Sequence, residues 1–450
     1  MRKHGSERGL TRRGLLRAAL AVGSTAGLSA CMEITGGLDV PTGPSDLSTY
    51  PASQHAWNDA LVTDSHGNTV APHYQLLLFL EYKGSIPPTE AERAAVESCL
   101  ASVDRAFQRG TGGSPDALSL NGLLGLIGYT PDYFARFDRS FTTEVDLSTP
   151  EQVLKAVGED ESKADHYDAV ALLTSDRVEV LLAAEQAMRG NRDQLNGVPV
   201  SSSLTDVFAI AARRTGFKGP GLVSSRLSDE VDIDAVNEQS PSAMGYKSGF
   251  SDNQASEKRV TIKTGPFAGG TTLHVSELVL DLEAWYNRSE GGRVHRMFSP
   301  QHSPESVGEV GRFLANDSRI NETIAQSTEA DAEQYGVVGH TQKVARARDS
   351  NFEPRILRRS EAISAETGRA ALNFTSIQRA MTDFVETRQA MSFVDTDADS
   401  DHTTPQCPAH QQSTSNGCPA KNGILQFVET EHRANFLVPQ RQRRALPEPQ

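Results

Sequence analysis

Between Gly336 and Met391 the chain gathers residue types that can do chemistry. Gly336-Val-Val-Gly-His340 ends on an imidazole, and a polar, arginine-bearing segment leads from it to Pro354-Arg355-Ile-Leu-Arg-Arg359. A neutral imidazole can donate a lone pair to a metal, and a guanidinium stabilises negative charge forming on oxygen. By residue type alone, a satisfied histidine and a solvated arginine are the commoner roles. The elements that must position them follow at once. Leu372 and Phe374 alternate with polar neighbours, as on a strand with one buried face. Ile377, Ala380, Met381, Phe384, Val385, Arg388 and Met391 recur at helical spacing, with polar residues between them, and predict a long amphipathic helix.

This order of pieces resembles the dye-decolorising peroxidases, a haem family built from ferredoxin-like α+β units. The matching residues are His340, Pro354-Arg355, Ile356-Leu357-Arg358, Leu372-Asn-Phe374 and the helix around Ile377 and Gln378. The resemblance implies haem b as cofactor, His340 as the ligand of its iron, and Arg358 as the arginine that polarises bound peroxide from the other side. His274, alone on an apolar strand, is a rival iron ligand, although such a histidine is more often structural.

That family also carries a Gly-x-x-Asp-Gly motif, whose aspartate assists proton transfer as peroxide is split. Here two registers stay open. Gly245-Tyr-Lys-Ser248-Gly249 keeps both glycines and puts Ser248 where the acid belongs; Gly249-Phe-Ser-Asp252-Asn253 keeps Asp252 and loses the final glycine. A serine in that place would act only through water. A turn-rich loop without catalytic role is the plain alternative.

Strands and helices alternate through the first half. His73–Tyr82 reads as a strand, and Thr89 with Glu92 as a capping box for a helix to about Phe107. Leu123–Tyr129 is a second strand, followed by a helix start at Thr130-Pro131. Tyr167–Thr174 is a third strand, and a helix runs from Val178 to Met188. The fold expected is α+β: two ferredoxin-like units with antiparallel sheets flanked by helices, as in the dimeric α/β-barrel superfamily. The expected limits are residues 72–235 and 236–440, with a tail at 441–450. A flexible linker over 32–71 precedes them, and a polar surface insertion runs from Arg288 to Glu333.

The chain has 450 residues and a formal net charge of −14. Its first 30 residues hold six basic side chains and one acidic, so without them the charge is −19, and only 10 of the 44 basic residues are lysine. Such a surface argues against nucleic-acid partners and fits solubility in strong brine, hence a halophilic protein. Thr11-Arg12-Arg13-Gly14-Leu15-Leu16 is a twin-arginine motif before a short apolar run, and Leu28-Ser29-Ala30-Cys31 looks like a lipobox. Together these predict a leader over residues 1–31, export by the twin-arginine pathway and a lipid anchor at Cys31 on the outer face of the cell membrane. Cys99 is expected inside a helix, and Cys407 with Cys418 to close a disulfide loop outside the cell. Asp395, Asp397, Asp399 and Asp401 resemble the start of a calcium loop, but its glycine turn and closing glutamate are missing, so a solvated acidic loop is the better reading. Asn287, Asn316, Asn321 and Asn373 stand in glycosylation sequons.

The function expected from the resemblance is peroxidase: hydrogen peroxide is reduced while an organic or metal-ion donor is oxidised, and homo-oligomer formation stays open. Two other readings stay open. One is an exported haem- or iron-binding protein of the same fold without turnover, and the other a cell-surface protein without cofactor.

Overall fold

The computed structural model describes residues 38–63, 69–110, 120–137, 145–218, 237, 240, 242–247, 253–314, 321–364, 370–392 and 419–449. Its first unit is built from β1 (Tyr74–Tyr82), α1 (Glu90–Ala106), β2 (Leu124–Tyr129), β3 (Ala169–Ser175), α2 (Val178–Met188) and β4 (Phe208–Phe217). These strands lie antiparallel in the order β4-β1-β3-β2. β1 has both faces covered, which is why it reads as an unbroken apolar run rather than an alternating one. Leu77 and Phe79 point one way, while Leu76, Leu78 and Leu80 pack with the helices on the other. The capping box forms as expected: Thr89 accepts from the Glu92 N–H, and Glu92 reaches back to the Thr89 N–H.

The second unit repeats the plan. β5 (Thr271–Leu280) leads through α3 (Glu290–Met297) and α4 (His340–Arg346) to β6 (Leu357–Ser364), β7 (Ala371–Gln378), α5 (Met381–Met391) and β8 (Val428–Val438). Its strand order, β8-β5-β7-β6, puts first, third and last strands in the same relation as in the first unit. Each unit is therefore a ferredoxin-like βαββαβ fold. The two sheets meet edge to edge and close into one eight-stranded barrel. One seam joins β2 to β8 at Tyr129 and Leu437; the other joins β4 to β6 at Gly216–Ser364 and Phe217–Ile363.

The lumen is an apolar core of Leu77, Phe79, Leu126, Val170, Leu172, Leu273, Val275, Ile377 and Phe436. The outer faces differ. In the first unit the outer face is apolar under α1 and α2. On β5, β7 and β8 it carries Thr272, His274, Ser276, Ser376, Gln378 and Asn435, all of them fully buried. Burying so many polar groups is tolerable only where they satisfy one another.

Several expectations need correction. Ile377 and Gln378 belong to β7, not to the helix, which begins at Met381 after Ala380. Ile377 faces the lumen between Leu273 and Leu357, and that tertiary pairing overrides the helical spacing. Residues 38–63, expected within a flexible linker, are docked on the barrel: Gln54, His55 and Trp57 are buried, and Trp57 joins the lumen core. The expected surface insertion from Arg288 to Glu333 contributes Val294, Met297, Phe298, Val307 and Leu314 to a second-unit core with Trp285. Asn373 is fully buried on β7 and gives its amide N–H to the Thr215 carbonyl, so this sequon is closed to glycosylation in the folded chain. Cys99 is free and buried in α1. The leader with Cys31, Ser248, Asp252, the aspartate run from Asp395 to Asp401, and Cys407 with Cys418 lie outside the described residues. Among the described residues, no helix is long and apolar enough to cross a membrane.

Candidate functional site

His340 is the first residue of α4 and is half-buried, with its Nδ1 enclosed. Backbone on two sides fixes it. A side chain on the preceding Gly339 would run into the Phe298 carbonyl at 1.7 Å, and one on Gly423 would come within 3.1 Å of the His340 N. Those glycines let the two segments close on the start of α4. The next turn is locked to the end of α3: Thr341 Oγ1 donates to the Met297 carbonyl at 2.7 Å, and the Gln342 N–H to the Phe298 carbonyl at 3.3 Å. The Gln342 amide donates to Asp331 Oδ2 at 2.6 Å. Lys343 is fully buried, and its amine is held well below the ordinary lysine range by burial first and then by Arg388 and Arg346.

Arg358 stands near the start of β6, half-buried, opposite Ser376 of β7. The ladder then slips, so that Ser360 faces Thr375 and Arg359 is the extra residue of a bulge. Leu357 faces the lumen, and Arg358 shares a row with Ser376, His274 and Asn435 across β6, β7, β5 and β8. Two strand spacings put Arg358 and His274 about 10 Å apart along that row.

The segment holding the glycine motif is fastened near both residues. At one end the Trp285 indole donates to the Met244 carbonyl, the Tyr286 hydroxyl donates to the Ala243 carbonyl, and Tyr246 meets Phe298 edge-on at 5.6 Å. This is the same Phe298 whose carbonyl abuts Gly339 beside His340. At the other end the Ala255 N–H donates to the Ile356 carbonyl at 3.1 Å, and the Arg358 N–H to Gln254 Oε1 at 2.8 Å. From Lys247 to Asn253 the chain can reach about 20 Å at most. The two ends of that segment are thus held, one against Phe298 beside His340 and the other against the backbone of Arg358.

His274 is a poor iron ligand. Its Nδ1 meets Asn435 Oδ1 at 2.8 Å and its Nε2 meets Ser276 Oγ at 2.5 Å, while Phe384 stacks on the ring at 3.7 Å. Burial, then Arg433, pushes its pKa down to about 3, so the ring is neutral and both nitrogens are occupied. Arg433 Nη1 donates to Ser276 Oγ, and the same guanidinium pairs with Glu159, which also takes Arg388 of α5. Burial alone would raise the Glu159 carboxyl, but the guanidinium groups of Arg433 and Arg388 outweigh it and hold the pKa at about 2. Sequence reading missed Glu159, Arg433 and Asn435, because their partners lie far off in the chain and no local pattern marks them. His302 Nδ1 meets Ser299 Oγ, and His432 meets Asp165. His340 differs from these in its setting, at the backbone-locked start of α4, where an imidazole nitrogen could be offered to a metal.

A model of a family of unknown function, DUF7405, matches residues 72–440. The chain belongs to that family. No curated protein matches this DUF7405 chain. Solved structures that resemble it include a dye-decolorizing protein from V. cholerae, at 16% identity and a TM-score of 0.49, covering 83% of this chain and 95% of that one. A putative dyp-type peroxidase from Shewanella oneidensis is 15% identical at a TM-score of 0.49, with 83% and 94% covered. The encapsulated DyP-type peroxidase from Mycobacterium smegmatis is 13% identical at 0.47, with 85% and 97% covered.

Proposed function

We propose that this DUF7405 chain is a haem-binding protein of the dye-decolorising peroxidase kind that reduces hydrogen peroxide to water, with two electrons drawn from an organic or metal-ion donor. The observation that carries the reading is the tethering of the glycine segment between the shelf under His340 and the backbone of Arg358. Haem b would supply the iron at which the O–O bond is cleaved. His340 would hold that iron, its ring fixed by the close backbone contacts at Gly339 and Gly423. Arg358, in the row of Ser376 and His274, would present its guanidinium to the charge that develops on the departing oxygen. The proton would pass through Asp252, or through water held by Ser248.

The departures from the Gly-x-x-Asp-Gly pattern favour a second reading, in which the chain carries haem without turnover. We further propose export by the twin-arginine pathway, anchoring through a lipid on Cys31 at the outer face of the membrane, and a Cys407–Cys418 disulfide.

An absorption spectrum of the chain in high salt with haem tests the function. A Soret band that shifts or is lost in His340→Ala supports the site. A peroxide-dependent turnover lost in Arg358→Ala separates the peroxidase from the carrier. A folded chain that gives no Soret band would overturn both readings.

A further inference from the structure

The segment Gln54–Ala60 crosses one end of the barrel as a strap and ends on the bulge that carries Arg358. The Gln54 side-chain amide takes the place of a peptide group at the β2–β8 seam: it accepts from the Ile127 N–H at 3.0 Å and donates to the Ile127 carbonyl at 3.2 Å and the Pro439 carbonyl at 2.8 Å. At the far end everything converges on Glu257 and Arg359. Glu257 Oε1 accepts from the Trp57 N–H at 2.6 Å, the Asn58 N–H at 2.9 Å and Arg359 Nη2 at 2.5 Å. Arg359 also donates to the His55 carbonyl at 2.6 Å and to Asn58 Oδ1 at 2.8 Å, with its guanidinium 5.2 Å from the centre of the Trp57 ring.

We propose that Glu257 is a positioning residue for Arg358, acting through Arg359 and the strap. Arg358 is held from both neighbours. Its own N–H is bonded to Gln254, three residues before Glu257, and the next residue, Arg359, is clamped by Glu257 and the strap. A β-bulge has one residue more than its partner strand, and what fixes that extra residue sets where the side chain before it points. Releasing Arg359 frees the bulge to slide by a residue, which would turn Arg358 to the lumen. The role of Arg358 in the chemistry rests on the function proposed above; the coupling of strap to bulge does not.

Glu257→Gln keeps an acceptor for the two strap N–H groups and removes the charge that holds Arg359. Hydrogen exchange of the full chain without haem decides the coupling. Amides of residues 54–60 and of 356–360 should both exchange faster; a loosened strap with unchanged exchange over 356–360 overturns the proposal. Asn58→Ala, which removes one acceptor of Arg359, gives the same readout should Glu257→Gln fail to fold. With haem bound, Glu257→Gln should slow the reaction with peroxide on the order of 10- to 100-fold, as a misplaced group does. The same substitution in an Arg358→Ala background should change the rate by less than about twofold, since coupled residues are not additive. An equal loss in both backgrounds means that Glu257 acts elsewhere, and overturns the proposal. If Arg358→Ala alone leaves the rate unchanged, the reading of the site fails, and the exchange result still decides whether the strap holds the bulge.

Discussion

Glu159 is the best place to test the buried polar face, because its energetics can be worked from the structure. Its carboxyl is 11% exposed and takes two guanidinium groups, Arg433 at 2.7 Å and Arg388 at 2.9 Å. Its pKa falls from 4.5 to about 2 on folding. Converted at 1.36 kcal/mol per pH unit, this amounts to about 3 kcal/mol of stability. The sign follows from the depressed folded value: the contribution is fully present above pH 4.5 and is lost as pH falls through about 2. Glu159→Gln keeps the shape and removes the charge, which leaves Arg433 and Arg388 buried side by side. Urea unfolding at pH 7 should show a loss of about 3–5 kcal/mol, the cost of breaking a buried pair on one side. Between pH 4.5 and 2.5 the wild-type curve should fall toward the mutant curve by up to about 1.4 kcal/mol per pH unit. A loss at pH 7 below about 1 kcal/mol, as for a surface pair, would refute the reasoning. So would acid branches that run parallel.

Two further outcomes are expected. The imidazoles of His274 and His55, each pushed down to about 3 by burial and a neighbouring arginine, should stay neutral from pH 8 to about 4 in a carbon-13 titration of the ring shifts. Because both folded values lie below the unfolded one, their stabilisation is complete above about pH 6.5 and fades as pH falls toward 3, and a normal titration near 6.5 in either ring would refute its burial in a polar cage. Trp57→Ala should cost about 3–5 kcal/mol in urea unfolding, as the loss of a buried aromatic does, whereas a residue in a free linker would cost almost nothing.

The elements that carry strong local signals were legible in the sequence. The capping box at Thr89 and Glu92, the apolar run of β1 and the helix from Val178 to Met188 each depend on neighbours within a turn or a pleat. What failed depended on distant partners. Ile377 fits helical spacing as well as a strand, and only its place between Leu273 and Leu357 decides. The strap reads as linker because Gly, Pro and Ser surround it, yet Trp57 is buried by residues three hundred positions away, such as Arg359. Of the candidate site, His340 and Arg358 were marked by a motif order. Their supports were not: Gln254, Glu257 and Phe298 are ordinary residues that matter through what they touch.

The two seams bear on how this barrel avoids its own kind. β2, β4, β6 and β8 are edge strands of their own sheets, and an edge left open offers its backbone to any passing strand. Here each edge is spent on its counterpart, and among the described residues the backbone pairs are few: Tyr129 with Leu437, Gly216 with Ser364, Phe217 with Ile363. Side chains complete the closure, with the Gln54 amide on Ile127 at one seam and the Asn373 amide on the Thr215 carbonyl near the other. Local opening begins where few bonds must break. Partial unfolding of this chain would therefore begin as an unzipping that bares two complementary edges at once, and at high concentration the same edges would pair between copies.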